Sequence, residues 1–240
     1  MFIKPIGVIL AVLVVIYSNI FVIKLTTSHQ SKVKVIAPYY SPDAFKVPEN
    51  IKKKRKIPLI SIKLPIIMYH YVEYVADAND IVKKKLAMSP YYFDLQMKAF
   101  KDAGYETYFV KDVPKILSGD LKVGSRSAVL TFDDGYRDFY SIVLPILKKY
   151  NLKASLYIIV DYIGWKDFLS KEEIQHIIDS KLVEIGSHTL DHVYLKNMKK
   201  EIAMHQITES KKQLEEMFHI PVETFAYPFG AFTEESIELV

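Results

Sequence analysis

The chain of 240 residues contains no cysteine, so disulfide bonds and thiolate metal sites are both excluded. It also lacks a glycine-rich phosphate-binding loop, which argues against the open, nucleotide-binding type of parallel sheet. Its basic residues are confined to one end: residues 1–63 hold 11 lysines and arginines against two acidic residues, whereas residues 64–240 hold 21 against 26. The larger part of the chain therefore carries a net charge of −5, and we expect no nucleic-acid-binding domain.

The N-terminus carries one long apolar run at residues 6–23, flanked by Lys4 and Lys24. Its 18 residues are close to the minimum for a membrane-spanning helix. No small-x-small cleavage site follows, which favours an uncleaved signal anchor over a cleaved signal peptide, with a buried helix as the third possibility. We expect residues 1–25 to be a signal anchor (a transmembrane segment) or a signal peptide. The protein is then extracytoplasmic, either membrane-anchored or secreted to the cell surface.

Residues 26–63 are polar and contain several prolines, a composition typical of a linker. The basic run Lys52–Lys56 within this segment resembles a nuclear localisation or polyanion-binding patch. Downstream of a membrane segment, a solvated spacer that contacts anionic polymers or lipid headgroups is the better interpretation. Residues 64–240 then form one folded domain, which is large enough for a single hydrophobic core.

Strand and helix patterns alternate along residues 64–240. The predicted strands lie at 66–69, 105–110, 128–132, 154–160, 182–185 and 222–226, and the helices at 89–104, 112–117, 138–150, from Ser170, 199–218 and from Thr233. Strands separated by helices pair in parallel through right-handed crossovers. We predict an α/β fold of the (β/α) barrel type, TIM-like but distorted or incomplete, with its active site at the C-terminal ends of the strands.

Polar and turn residues follow four of these predicted strands: His70, Asp133 with Asp134, His188 with His192, and Tyr227-Pro228-Phe229-Gly230. A barrel would bring all of them to one rim. The segment Thr131-Phe132-Asp133-Asp134-Gly135 is the centre of this set. Two adjacent carboxylates at the end of a buried strand are costly unless a cation, hydrogen bonds or protonation offsets their repulsion. The set therefore predicts a cation at the rim.

The spacing of His188 and His192 is i, i+4, which on a helical turn places both imidazoles on one face. With one carboxylate they make the three ligands of a catalytic zinc-type site. One of the two aspartates can bind the cation while the other, held off it, acts as a general base. Two histidines and a carboxylate also describe non-haem iron oxygenases. Those enzymes need no second carboxylate as a base, so the pair favours hydrolysis of an amide or ester.

Three segments together resemble the first motifs of the polysaccharide deacetylases, the NodB-homology group or carbohydrate esterase family 4. They are Thr131-Phe132-Asp133-Asp134-Gly135, His188-Thr189-x-x-His192 and Phe225-Ala226-Tyr227-Pro228-Phe229-Gly230. The resemblance implies that Asp133 is the catalytic base and that Asp134, His188 and His192 bind a divalent metal ion. Zinc is expected, with cobalt, nickel and iron as alternatives. Tyr227, Pro228 and Phe229 would form a substrate-binding wall, with the Phe229 amide holding the oxyanion.

The sequence departs from the family pattern in two places. Ala226 stands where the family often has an arginine that orients the base. The motif that supplies the general acid usually follows the third motif, and no such histidine lies between Gly230 and Val240. Residues 66–70, an apolar strand ending in histidine, have the form of that motif placed before the first one. This permuted order resembles the poly-β-1,6-N-acetylglucosamine deacetylases of the intercellular adhesion protein B type, and implies that His70 is the general acid.

By this resemblance the protein is a metal-dependent hydrolase that removes acetyl groups from a cell-surface N-acetylglucosamine polysaccharide of biofilms. A deacetylase directed at chitin or peptidoglycan is one alternative, and an inactive, membrane-tethered glycan-binding module is another. The family's fourth motif and a closing strand or two are missing before Val240. We therefore expect the domain at 64–240 to lack its C-terminal end and to expose a sheet edge.

Overall fold

The structure, a computed structural model, describes residues 10–17, 20–27, 63–196 and 198–240. Residues 28–62 of the predicted linker, with its basic run, lie outside the described residues. The predicted domain boundaries at residues 25 and 63 therefore remain predictions.

The N-terminal apolar run forms two strands, β1 (Leu10–Tyr17) and β2 (Ile20–Thr27). They pair antiparallel, with Tyr17 opposite Ile20. Among the described residues, no helix is both long and apolar enough to cross a membrane. The predicted transmembrane helix is therefore not supported. The run is rich in valine and isoleucine, which favour strands, and an apolar run without periodicity does not distinguish a strand from a helix.

The rest of the described chain is an α/β fold around five parallel strands. They are β3 (Ile66–Tyr69), β6 (Glu106–Tyr108), β7 (Ser127–Phe132), β8 (Ala154–Ile158) and β9 (Val183–Ser187). Strand β7 is central, since β3, β6 and β8 all pair with it, and β9 follows β8. Two short strands absent from the prediction, β4 (Tyr71–Val72) and β5 (Ala87–Met88), pair with each other.

The helices are α1 (Ile81–Leu86), α2 (Pro90–Asp102), α3 (Val113–Ser118), α4 (Leu144–Tyr150), α5 (Lys171–Asp179), α6 (Lys200–Phe218) and α7 (Glu234–Glu238), and a π-helical turn, Phe139–Val143, precedes α4. Helix α5, predicted to start at Ser170, begins with a capping box formed by Ser170 and Glu173. The Glu173 amide donates to Ser170 Oγ at 3.2 Å, and the Ser170 amide donates to Glu173 Oε2 at 2.8 Å. Only α1 has no counterpart among the predicted helices.

Strands β7, β8 and β9 are buried on both faces, whereas the two faces of the edge strand β3 differ. Alternate residues such as Ile67, Leu130 and Leu156 are buried in the main hydrophobic core with residues of the helices. On the opposite face of the edge strand β3, Ile66 is 54% exposed and Met68 is 40% exposed. Among the described residues the sheet does not close, so the predicted (β/α) barrel is not confirmed, whereas the predicted α/β class is.

The predicted strand at 222–226 is wrong as a strand, because only Phe225 forms a β-bridge, to Ser187 of β9. Two backbone hydrogen bonds hold the segment there, from the Ser187 amide to the Thr224 carbonyl and from the Ala226 amide to the Ser187 carbonyl, both 3.0 Å. The segment meets β9 at the end that carries the candidate site. It therefore supports the site even though it adds no full strand.

We expect replacement of Gly186 by alanine to destabilise the fold by about 1–3 kcal/mol, because added atoms overpack a filled interior. A Cβ at Gly186 would lie 2.5 Å from the Tyr157 ring and 2.7 Å from Thr224 Oγ1. Urea unfolding measures the change. Gly124→Ala is the matched control, since a Cβ there has no neighbour within 4 Å. Equal stability of the two variants would contradict the prediction.

Candidate active site

The two adjacent aspartates sit in a turn directly after β7. The Asp133 amide donates to the Tyr69 carbonyl of β3, and the Gly135 amide donates back to the Asp133 carbonyl, both at 3.0 Å. Asp134 and Gly135 both have positive φ angles, 74° and 77°. The chain thus turns here, and the left-handed backbone begins one residue before the glycine, at Asp134. This left-handed conformation is uncommon for a residue with a side chain, and such strain is concentrated at functional sites.

The two histidines come from a turn after β9, and the predicted helical turn is wrong. Thr189 and His192 have φ angles of 69° and 61°, which an α-helix does not allow. The His192 amide donates to Thr189 Oγ1 at 3.0 Å, closing the turn through a side chain. The His188 amide donates to the Ile158 carbonyl of β8 at 2.9 Å. Both imidazoles nevertheless reach one point, with ring centroids 5.0 Å apart.

Asp134, His188 and His192 form the candidate metal centre. Asp134 Oδ1 lies 3.3 Å from Nε2 of each histidine, and the three ligand atoms lie within 4.8 Å of one another. Asp134 Oδ1 is buried and accepts no hydrogen bond from the residues that the structure describes, which is costly for a carboxylate unless another group compensates it. One carboxylate and two imidazoles are ligands suited to zinc and related divalent ions. The residues therefore fit a divalent cation.

Charge interactions link the members of this cluster. Burial is the largest influence on Asp134 and raises its pKa, but the neighbouring His188 outweighs it, so the pKa of Asp134 lies below its usual value. Burial lowers the pKa of His188, but the two aspartates outweigh it and the net pKa is raised. For His192 burial prevails, and the pKa is lowered. Burial raises the pKa of Asp133, against the opposing effect of His188 and His70.

A backbone carbonyl that the sequence patterns did not single out orients His188. His188 Nδ1 lies 2.9 Å from the Ala226 carbonyl oxygen, so a proton on Nδ1 is donated there and the Nε2 lone pair faces Asp134. Such outer contacts fix the tautomer of metal-binding histidines. The group belongs to the main chain of Ala226, so no side-chain pattern could have predicted it.

His70 lies beside Asp133, at the end of β3. Its Nε2 is 4.0 Å from Asp133 Oδ2, and both side chains are partly accessible, at 17% and 11%. The structure therefore brings His70 and Asp133 together next to Asp134. Their catalytic roles remain predictions.

The segment after Phe225 forms a short 3₁₀ turn, Pro228–Gly230. Phe229, with φ at 59°, is 68% exposed, and its ring centroid is 4.6 Å from that of His192. Pro228 is buried. The Tyr227 hydroxyl donates a hydrogen bond of 3.2 Å to the carbonyl of Ser236, which lies in helix α7. Phe229 is therefore the member of the predicted wall that the structure brings next to a metal-binding candidate.

Sequence reasoning missed two tyrosines at this centre. Tyr136, which follows Gly135, stacks on Tyr71, which follows His70, with centroids 3.8 Å apart. Burial is the largest cause that raises the pKa of Tyr136, and the negative charge of Asp134 adds to it. Tyr136 therefore stays protonated beside the carboxylate. The signal that could have found these residues is their position, one residue beyond His70 for Tyr71 and two residues beyond Asp134 for Tyr136.

Comparisons with known sequences and with solved structures both find proteins similar to this chain. A sequence profile described as "Polysaccharide deacetylase" matches residues 120–240. The "Putative polysaccharide deacetylase YxkH" of Bacillus subtilis is 34% identical over 176 residues, 73% of this chain. A Staphylococcus aureus poly-β-1,6-N-acetyl-D-glucosamine N-deacetylase is 26% identical over 184 residues, 71% of this chain. The structure of Streptococcus pyogenes deacetylase PplD in complex with acetate matches with a TM-score of 0.68 and 27% identity, covering 74% of this chain and 79% of that one.

The matches cover 60% of the Bacillus subtilis protein and 62% of the Staphylococcus aureus protein. The chain thus spans about three fifths of the length of these curated relatives. The candidate metal centre lies within the range that the family profile matches.

Proposed function

We propose that this chain, which belongs to the polysaccharide deacetylase family (carbohydrate esterase family 4), hydrolyses acetamido groups of a polysaccharide and releases acetate. The observation that carries the proposal is the convergence of five side chains from three separate strand ends. Asp134 Oδ1 lies 3.3 Å from both His188 and His192, and Asp133 lies 4.0 Å from His70. Two carboxylates and three imidazoles in this arrangement provide the groups that amide hydrolysis requires.

Asp134, His188 and His192 would hold a divalent cation, most simply zinc. When bound, the cation supplies Lewis acidity, which polarises the acetyl carbonyl and makes a water molecule easier to deprotonate. Asp134 Oδ1 supports this role, since it is buried and accepts no hydrogen bond within the described part of the chain.

Asp133 is the proposed general base. Its carboxylate accepts a proton from the water that attacks the acetyl carbon, and its burial weakens competing solvation. His70, 4.0 Å away, is the proposed general acid, which donates a proton to the nitrogen as the carbon–nitrogen bond breaks. A carbon–oxygen bond forms and a carbon–nitrogen bond breaks, so the products are acetate and a free amine on the sugar. The Phe229 amide is the proposed donor to the oxyanion.

For the substrate we propose a polymer of β-1,6-linked N-acetylglucosamine outside the cytoplasm. The Staphylococcus aureus relative carries that activity in its name, and the position of His70 ahead of the aspartates in the chain matches the permuted order described above. An extracytoplasmic location follows from such a substrate. Chitin and peptidoglycan are the rival substrates.

Purified protein with added zinc is expected to release acetate from N-acetylglucosamine oligomers, and chelation is expected to stop the release. A panel of β-1,6-linked oligomers, β-1,4-linked oligomers and peptidoglycan fragments ranks the substrates by kcat/KM. Saturable oligomer binding without acetate, even with zinc or cobalt present, would favour a glycan-binding module. Ala226, which replaces the family's base-orienting arginine, makes that outcome worth testing. Activity that survives chelation would contradict the proposed dependence on a cation.

A further inference from the structure

A cluster of aromatic residues lies in the loop after β8, outside the catalytic groups. It consists of Tyr162, Trp165 and Phe168, here called the aromatic shelf. Tyr162 and Trp165 stack with centroids 4.4 Å apart and planes at 20°. Phe168 lies 4.9 Å from Tyr162, and also 4.9 Å from Tyr136 at the candidate active site. The shelf is therefore a continuous set of rings that leads outward from the site.

The outer end of the shelf faces solvent. Trp165 is 56% exposed, and it is the single tryptophan of the chain. A large aromatic side chain held in contact with water forgoes the stabilisation that burial would give. Exposed apolar surface beside a polar site is characteristic of ligand recognition. The exposure of Trp165 thus points to a ligand that covers it.

The shelf loop joins both halves of the site. On one side, the Leu169 amide donates to the Gly135 carbonyl at 3.0 Å, next to the aspartates. On the other side, the Asp161 amide donates to the Leu190 carbonyl at 2.8 Å, between the two histidines of the candidate metal centre. A ligand that occupies the site is therefore able to extend onto the shelf.

The loop is held in place by Arg137. Its guanidinium donates to the Lys166 carbonyl and its backbone amide donates to the Asp167 carbonyl, each at 3.0 Å. The Gly164 amide, with φ at 85°, closes the loop on the Leu169 carbonyl at 2.8 Å. A preformed surface loses little conformational entropy on binding.

Beside the shelf is a cavity of about 230 Å³, lined by Lys166 and Asp167 of the shelf loop and by Tyr136, whose ring contacts Phe168 of the shelf. Its other polar lining residues include Tyr71, Glu73 and Asp138. Carboxylates, an ammonium group and hydroxyls offer both donors and acceptors of hydrogen bonds. A sugar ring presents apolar C–H faces and a rim of hydroxyls, so aromatic faces next to mixed polar groups suit it.

We propose that the aromatic shelf and the adjoining cavity form a subsite for a neighbouring sugar of the N-acetylglucosamine chain whose acetyl group lies at the metal centre. This inference rests on the proposed function, because it assigns the shelf to the same glycan. The subsite makes the protein prefer oligomers over the monosaccharide, since only an oligomer reaches both regions.

The single tryptophan is a built-in probe for this subsite. N-Acetylglucosamine oligomers of increasing length are titrated into an Asp133→Asn variant, which does not consume them, while tryptophan fluorescence is recorded. We expect a saturable change in emission with longer oligomers and none with the monosaccharide. Calorimetry then compares Trp165→Ala in the same background, where we expect about tenfold weaker binding of the longer oligomers. Trp165→Phe keeps an aromatic face and should recover most of the affinity.

Tyr91→Ala is the matched control, because Tyr91 is also an exposed aromatic residue, at 60%, and its ring meets that of Tyr92 edge to face, away from the shelf. Equal affinity of Trp165→Ala and the parent for longer oligomers overturns the subsite. So does binding to lipid vesicles but not to oligomers, which would assign the shelf to a membrane surface. These binding results are separate from acetate release. A wild-type protein that binds through Trp165 but releases no acetate refutes the proposed function and keeps the subsite.

Discussion

Replacement of Asp133 by asparagine is expected to lower the rate of acetate release by about 10²–10⁴-fold, the usual contribution of a general base. Asparagine keeps the size of the side chain and one acceptor oxygen but does not take up the proton of the attacking water. Asp133 is proposed to act when the water attacks, so kcat should fall while KM changes little. The assay is steady-state acetate release from N-acetylglucosamine oligomers with zinc present.

Two further measurements distinguish a general base from a metal ligand and from a residue that only binds substrate. Zinc content should stay the same in Asp133→Asn, because Asp134 and the two histidines hold the proposed cation. Asp179→Asn, an exposed aspartate at the end of α5, should keep full activity. A raised KM with unchanged kcat would mean that Asp133 only binds substrate. Loss of zinc together with activity would make it a metal ligand instead of the base.

The location of the site could be predicted from the sequence because it depends on topology. Parallel strands joined by helices bring their C-terminal ends to one edge of the sheet. His70, Asp133 and His188 each follow a predicted strand, and the structure places each directly after β3, β7 and β9. Their positions directly after the strands were therefore enough to predict that these residues lie close together.

Local conformation was harder to predict, since an i, i+4 spacing alone does not distinguish a helix from a turn. Asp134, Thr189 and His192 all have left-handed φ angles, which no pattern of residue types in the sequence marks. The Ala226 carbonyl acts through the main chain, so no residue type marks it. The N-terminal apolar run had no periodicity to decide between helix and strand.

The Tyr136–Phe168 contact shows a further limit of local sequence patterns. These residues are 32 positions apart, yet they form an antiparallel bridge and their rings lie 4.9 Å apart. The loop that carries Phe168 reads as a connection between a strand and a helix. Its relation to the site depends on the hydrogen bond from the Leu169 amide to the Gly135 carbonyl, which is a long-range contact.

Replacement of His188 by alanine is expected to weaken zinc binding by about 100-fold or more and to abolish acetate release. Loss of a contact outside the ligands alone lowers the metal affinity of such sites by about 10–100-fold, and loss of a ligand should cost at least as much. His188 is 2% exposed and its Nε2 lies 3.3 Å from Asp134 Oδ1, so its loss removes one of three converging ligand atoms. Calorimetric titration with zinc chloride measures the affinity, and urea unfolding checks that the variant folds.

His205→Ala is the matched control, because His205 is an exposed histidine on α6, and its zinc affinity and activity should equal those of the parent. If His188→Ala bound zinc as tightly as the parent, the centre formed by Asp134, His188 and His192 would not be the zinc site, and the proposed catalytic arrangement would lose its basis.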